Sequence, residues 1–203
     1  MKISGLHLVP MALLPGLVAS IHTPVGLYSN CTSLSPAPIP ADELLSYFPP
    51  RPVHDFAAVE NIRRTLATYA FAIDGKNWNA LEYVFTKDAV ANYSEPIGLL
   101  SGLEAIQTTL PPGLATFVGT QHHLGTQVID VCSPDTAISV TYYRAAHFLS
   151  TTGAPTSVTD DDQVLTAWGQ YQDTWKKQED QSWKIVYRNV IYMDGFVSEM
   201  DLT

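Results

Sequence analysis

The chain has only two cysteines, Cys31 and Cys132, and no Cys-x-x-Cys pair. A His-Glu-x-x-His motif is also missing, as are a glycine-rich loop between strand and helix and a Gly-x-Ser-x-Gly elbow. Zinc, dinucleotide, nucleotide-phosphate and serine-nucleophile chemistry therefore lack their motifs, and neither a metal nor an organic cofactor is expected. Basic residues are scarce as well, 11 against 20 acidic for a net charge of -9, and the acids are scattered instead of forming a block. Nucleic acid is not an expected partner, because phosphate neutralisation needs clustered Lys and Arg. No apolar run approaches the roughly 20 residues of a spanning helix, so no membrane span is expected.

What remains is a chain of 203 residues, 46% hydrophobic, enough for one substantial core but not for two. Residues 1–20 read as a signal peptide, with Lys2, an apolar stretch from Leu6 to Val18 and small residues at Ala19 and Ser20. Pro10 and Pro15 interrupt that stretch, and the other reading is a leader that stays attached. Two glycosylation sequons, Asn30-Cys31-Thr32 and Asn92-Tyr93-Ser94, agree with a secretory or secreted protein; a leader that is not a signal would leave it cytoplasmic. In an oxidising compartment Cys31 and Cys132 could close a loop of about 100 residues, worth up to ~4–5 kcal/mol. An inert thiol at Cys132 is the alternative, and spacing does not choose between them.

Residues 21–54 are rich in Pro and Ser and read as an arm or linker, with one short apolar patch from Leu44 to Phe48. The catalytic domain is expected over 55–203. Asp55 is a good helix cap, and Ile62, Leu66, Tyr69, Ala70 and Ile73 then recur on one helical face, with Gly75 ending the helix. Asn77 can cap a short second helix that buries Trp78, Leu81, Val84 and Phe85. A strand over Ala89 to Tyr93 follows, then a helix announced by a Ser101/Glu104 capping box and stopped by Pro111 and Pro112. Four β-rich stretches complete the chain: Gln121 to Val131, Ala137 to Leu149, Val164 to Lys177 and Trp183 to Met193, with turn signals at 133–135, 151–162 and 178–181. Helices followed by an antiparallel meander predict an α+β fold, in which a curved sheet wraps the long first helix and leaves a cavity.

Few polar residues fall inside this apolar frame. Asp74 closes the first helix beside its buried edge, where its bland role is a helix-end turn. His122 and His147 lie on strands, where a buried imidazole needs a hydrogen bond. Together the three could hold one imidazole in a fixed tautomer and move protons near neutral pH, or form a two-histidine, one-carboxylate metal site. His122 and His123 point to opposite faces, and the more apolar neighbours Thr120, Leu124 and Val128 favour His122 as the inward one. Tyr93 adds a phenol that could donate to a carbonyl or serve as a rim aromatic. Tyr69, Ile73, Trp168, Tyr171 and Asn189 are the candidate substrate-binding wall, suited to a hydrophobic, flat aromatic or polycyclic molecule.

The runs Ala72-Ile73-Asp74-Gly75-Lys76-Asn77-Trp78, Val90-Ala91-Asn92-Tyr93, Thr120-Gln121-His122-His123-Leu124-Gly125 and Arg144-Ala145-Ala146-His147 are similar, in order and spacing, to scytalone dehydratase, a SnoaL-like and NTF2-like protein. The resemblance spans about Val59 to Gly195 and implies a cone-shaped barrel, a homodimer or homotrimer, that eliminates water from a reduced polyketide without cofactor. It further implies that Asp74 orients a histidine, that His147 or His122 is base and acid, and that Tyr93 polarises the substrate carbonyl. Ile73 stands where the family has a second tyrosine, and Gly169 and Tyr171 replace its serine and asparagine, which puts scytalone itself in doubt. A cyclase or isomerase needs the same groups, and an NTF2-like ligand-binding protein needs none. His147→Ala and Asp74→Asn are each expected to abolish turnover.

Overall fold

The computed structural model describes residues 37–149 and 164–193, the backbone of 197–198, and Tyr28, Cys31 and Leu34. The leader, the Asn30 sequon and the turn at 151–162 lie outside the described residues. A short helix α1, Leu44–Tyr47, precedes the long α2, Phe56–Asp74. Asp55 caps α2 by accepting from the Ala58 N–H at 2.9 Å, and Ile62, Leu66, Tyr69, Ala70 and Ile73 form its buried face. Gly75 follows the last helical residue, but the left-handed turn belongs to Lys76, at φ 50°. Gly75 serves a close approach instead, since a Cβ there would sit 2.9 Å from the Phe71 carbonyl oxygen. Residues Trp78–Tyr83 form a 3-10 turn without a side-chain cap from Asn77, and they bury Leu81.

Helix α3 spans Leu103–Leu114 and departs from expectation at both ends. Ser101 is not its cap, because it pairs with Val90 in the sheet and Gly102, at φ 88°, precedes the helix without a side chain to offer. Pro111 and Pro112 lie inside the helix and do not stop it. A proline's fixed φ near -65° fits a helical turn, and what it removes is the backbone donor.

The strands are β1 Phe85–Asn92, β2 Leu99–Ser101, β3 Phe117–Val131, β4 Thr136–Leu149, β5 Val164–Lys177, β6 Trp183–Tyr192 and β7 Val197–Ser198. They lie in the order β2-β1-β6-β5-β4-β3, with β7 beside β5, and every pairing is antiparallel except β1 with β6. The sheet curves around α2 without closing, so the fold is α+β and the expected cone is an open one, with β2 and β3 as its edges. Ile62, Leu66, Trp175, Trp183 and Ile185 are fully buried between helix and sheet. Each such side chain contributes about 1.5–3 kcal/mol.

The Pro/Ser-rich segment is an arm fastened to the other side of the sheet. Leu34, Ile39 and Phe48 bury against Ile138 and Val140. The Gln172 side chain accepts from the Ile39 N–H and donates to the Ile39 carbonyl, both at 2.8 Å, as a neighbouring strand would. Cys31 and Cys132 are joined by a disulfide, which decides between the two readings of that pair.

Candidate active site

Asp74, the last residue of α2, faces the start of β3. Its Oδ1 accepts from the Thr120 hydroxyl at 2.8 Å and lies 2.6 Å from Nδ1 of His122, while Oδ2 accepts from the His122 backbone N–H at 2.8 Å. A carboxylate that receives Nδ1–H leaves the other ring nitrogen, Nε2, as a bare acceptor. Burial pushes the Asp74 carboxyl up, but the His122 side chain, its backbone N–H, its charge and Thr120 outweigh this and hold the acid below its ordinary value. With both oxygens engaged, Asp74 does not complete a two-histidine metal triad, and among the described residues no three His, Cys, Asp or Glu side chains cluster for a metal.

His147 lies beside this pair, its ring centroid 6.0 Å from that of His122 and 4.8 Å from that of Phe117. Its Nδ1–H donates to the Leu165 carbonyl at 3.2 Å. Burial, and then the charge of His122, hold its pKa below the usual histidine value, so it is neutral at pH 7 with Nε2 unprotonated. Both histidines line a cavity of about 260 Å³. Ile73, Leu110, Leu114, Ala145, Ala167 and Val190 make most of its surface apolar. Tyr69, whose ring meets that of His122 edge-on at 6.3 Å, and Tyr93 also line the cavity, and their hydroxyls bond each other at 3.2 Å. Burial pushes the Tyr93 phenol well up, so it remains a proton donor.

Asp74, His122, His147, Tyr93, Tyr69, Ile73 and Tyr171 therefore converge on one cavity. His123 is exposed on the opposite face. Two candidates lie elsewhere. Trp168 is 37% exposed on the outer face of the sheet, with the Arg144 guanidinium 5.5 Å from its ring centroid. Alternation along β5 turns Ala167 and Tyr171 inward and Trp168 outward. Asn189 is buried but also points away from the cavity, accepting from Asn92 Nδ2 at 3.3 Å, while its neighbour Val190 lines the wall. The Asn92 sequon is thereby tied into the fold: the Asn92 side-chain Oδ1 accepts from the Ser94 N–H, and the Ser94 hydroxyl donates to the Val190 carbonyl.

Sequence reasoning missed a buried ion pair behind the tyrosines. Arg188 donates from Nε and Nη2 to the two Asp173 oxygens at 2.7 and 2.8 Å, and both side chains are fully buried. The guanidinium lies 4.3 and 4.2 Å from the Tyr69 and Tyr171 ring centroids. Burial pushes Arg188 down, but the charge of Asp173 and its hydrogen bonds outweigh that and keep it protonated. The available signal was two opposite charges at inward-phase positions of aromatic strands. Tyr143 and Tyr192, also on the wall, share the phase of Ala145 and Val190.

The pKa shifts give stability a definite pH dependence. Below about pH 6.5 the unfolded chain protonates its histidine at 147 before the native one does, so it binds more protons and native stability falls with pH. Asp74 acts lower. Its contribution is present above about pH 4 and is lost as pH falls through its depressed native value. Urea midpoints measured from pH 8 to 3 should decline in these two windows, and His147→Asn should flatten the first. Equal slopes between pH 7 and 5 in both proteins would refute the assignment.

The family model described as a SnoaL-like domain matches residues 55–189. A structure titled as a candidate scytalone dehydratase from Novosphingobium aromaticivorans DSM 12444 is similar at 25% identity and TM-score 0.58, over 69% of this chain and 87% of that one. The structure of LinA is similar at 18% identity and TM-score 0.56, over 72% of this chain and 90% of that one. Hexachlorocyclohexane dehydrochlorinase LinA-type3 from Novosphingobium barchaimii LL02 gives 14% identity, the same TM-score of 0.56 and the same coverage of 72% and 90%. Both of these last two speak to the fold. No curated protein sequence matches significantly. The family match runs from the cap of α2 to β6, across the helix and sheet that enclose the cavity, and the chain therefore belongs to the SnoaL-like family of the NTF2-like fold.

Proposed function

We propose that the protein is a cofactor-independent dehydratase acting on a neutral, ring-containing β-hydroxy ketone of secondary metabolism. The observation that carries this reading is that the Asp74–His122 pair and the bonded Tyr69–Tyr93 hydroxyls border one apolar cavity. An engineered cavity of about 150 Å³ takes up benzene, so about 260 Å³ suits one or two fused rings and is small for a larger polycycle. No Lys, Arg, Asp or Glu lines the wall among the described residues, which favours an uncharged substrate.

In the proposed reaction His122 Nε2 takes the proton from the carbon beside the ketone. The electron pair moves onto the carbonyl oxygen, which accepts from the hydroxyl that the Tyr69–Tyr93 bond leaves free to donate. As the enolate collapses, the carbon–oxygen bond to the β-hydroxyl breaks, and the proton on His122 leaves with it as water. Neutral His147 accepts a hydrogen bond from that hydroxyl and orients it. Asp74 fixes the tautomer and stabilises the imidazolium between the two steps. LinA carries a dehydrochlorinase's title in two related structures, and base-led loss of a β-substituent is the chemistry the two readings share.

The test uses 3-hydroxy-1-tetralone, which loses one water to give 1-naphthol. Appearance of the naphthol with native protein, and its loss in His122→Ala, supports dehydration. An isomer of unchanged mass would point instead to a cyclase or isomerase, and tight binding without conversion to a ligand-binding protein.

A further inference from the structure

One position of β5, between two tyrosines that line the cavity, carries no side chain. Gly169 of β5 stands directly across from Tyr143 of β4 on one side and Tyr192 of β6 on the other. A Cβ at Gly169 would come 2.6 Å from the Tyr143 hydroxyl oxygen and 2.7 Å from its Cε1, and would also strike the Ile191 carbonyl oxygen. The bare backbone is what allows the Tyr143 ring to lie across this position. There it stacks on Tyr171, with centroids 4.3 Å apart and planes 12° from parallel.

Tyr143 is 6% exposed and lines the cavity. Tyr69 and Tyr93 bond each other, which leaves one of their two protons for a ligand, while among the described residues the Tyr143 hydroxyl bonds no protein group and borders the cavity. Burial pushes this phenol well above its ordinary value, so it offers a proton at any physiological pH. A hydroxyl that borders the cavity can donate to an oxygen of a bound ligand, which adds the value of one neutral hydrogen bond.

We propose that Tyr143 binds a further ring oxygen of the substrate, remote from the reacting carbons, and that Gly169 positions it. The preferred ligands are then fused-ring molecules bearing an oxygen beyond the one held by Tyr69 and Tyr93. This rests on the cavity being the substrate site, but it is independent of whether turnover is a dehydration.

Calorimetric titration tests it without any chemistry. The probes are 1-naphthol and its 1,5-, 1,6- and 1,7-dihydroxy relatives. At least one of the diols should bind the native protein about three- to tenfold more tightly than 1-naphthol, the value of one neutral hydrogen bond. Tyr143→Phe should erase that preference while leaving the 1-naphthol affinity within about twofold. Gly169→Ala, which must displace the ring, should erase it as well. The thermal midpoint of Tyr143→Phe is compared first. If Gly169→Ala does not fold, Tyr143→Phe alone decides. No preference in the native protein, or a preference that survives Tyr143→Phe, overturns the proposal. Failure of 1-naphthol to bind at all overturns it together with the reading of the cavity, whereas absent turnover alongside an intact diol preference counts only against the dehydratase.

Discussion

Replacing His122 by alanine is expected to lower kcat on 3-hydroxy-1-tetralone by two to four orders of magnitude, roughly the range of a positioned general base, without unfolding the protein. Its ring is held by one strong contact, the 2.6 Å approach to Asp74, and otherwise faces the cavity. Asp74→Asn should cost nearly as much for a different reason. An amide of the same shape can present its NH₂ to Nδ1 of His122, which drives the ring proton onto Nε2, where the substrate's proton has to go. In serine proteases the corresponding change lowers kcat by about 10⁴ through the wrong tautomer. Both variants should keep substrate affinity, since neither alters the apolar wall. Steady-state kcat and KM, with circular dichroism as the control for folding, separate these effects. Rates within tenfold of native in two folded variants would remove His122 and Asp74 from the mechanism.

The second large effect concerns stability. Cys31→Ala/Cys132→Ala opens a bridge between residues 101 positions apart. Loop entropy for about 100 residues sets a loss of up to ~4.7 kcal/mol. At ~2–4 °C per kcal/mol for a protein of this size, the thermal midpoint should fall by about 10–18 °C. The arm supplies part of the effect, because without its tether Leu34, Ile39 and Phe48 are held to Ile138 and Val140 only by packing and the Gln172 hydrogen bonds. Activity at low temperature should survive, as the arm and the cavity lie on opposite faces of the sheet. A midpoint within 2 °C of native would show that the bridge adds nothing to the fold. We also propose that the protein works in an oxidising compartment, where such a bridge persists; protein isolated from its native source with both cysteines reduced would contradict this.

Local patterns were legible where one face of an element was plainly apolar. The α2 face from Ile62 to Ile73 and its Asp55 cap are as the spacing predicts, and β3 turns His122 inward in phase with Leu124, whereas Val128 is 43% exposed because a bulge between Leu124 and Gln127 shifts the phase. Strand β5 misled because it carries aromatic residues on both faces, so aromatic content did not separate Trp168 from Tyr171, although alternation from Ala167 did. The placement of Asn189 failed similarly, one step out of phase with Val190. The Pro/Ser-rich segment reads as an arm or linker, but its docking on the sheet was hidden for another reason. It docks through three isolated apolar side chains and a side-chain amide 133 residues away, which leaves no periodicity to read. Asp173 and Arg188 become interpretable only in register, as direct cross-strand partners whose charges cancel.

The order of the strands gives the activity a temporal meaning. The last long strand to be made, β6, enters the sheet between β5 and β1 and pairs with β1 in parallel. Until it is seated, no strand pairing among the described residues joins the half of the sheet that carries the two histidines to the strand that leads into Tyr93, and Arg188 is not yet in place behind Tyr69. A nascent chain can therefore own Asp74, Tyr93, His122 and His147 and still lack the assembled cavity, so turnover in the proposed reaction would report that the final long strand has closed the middle of the sheet.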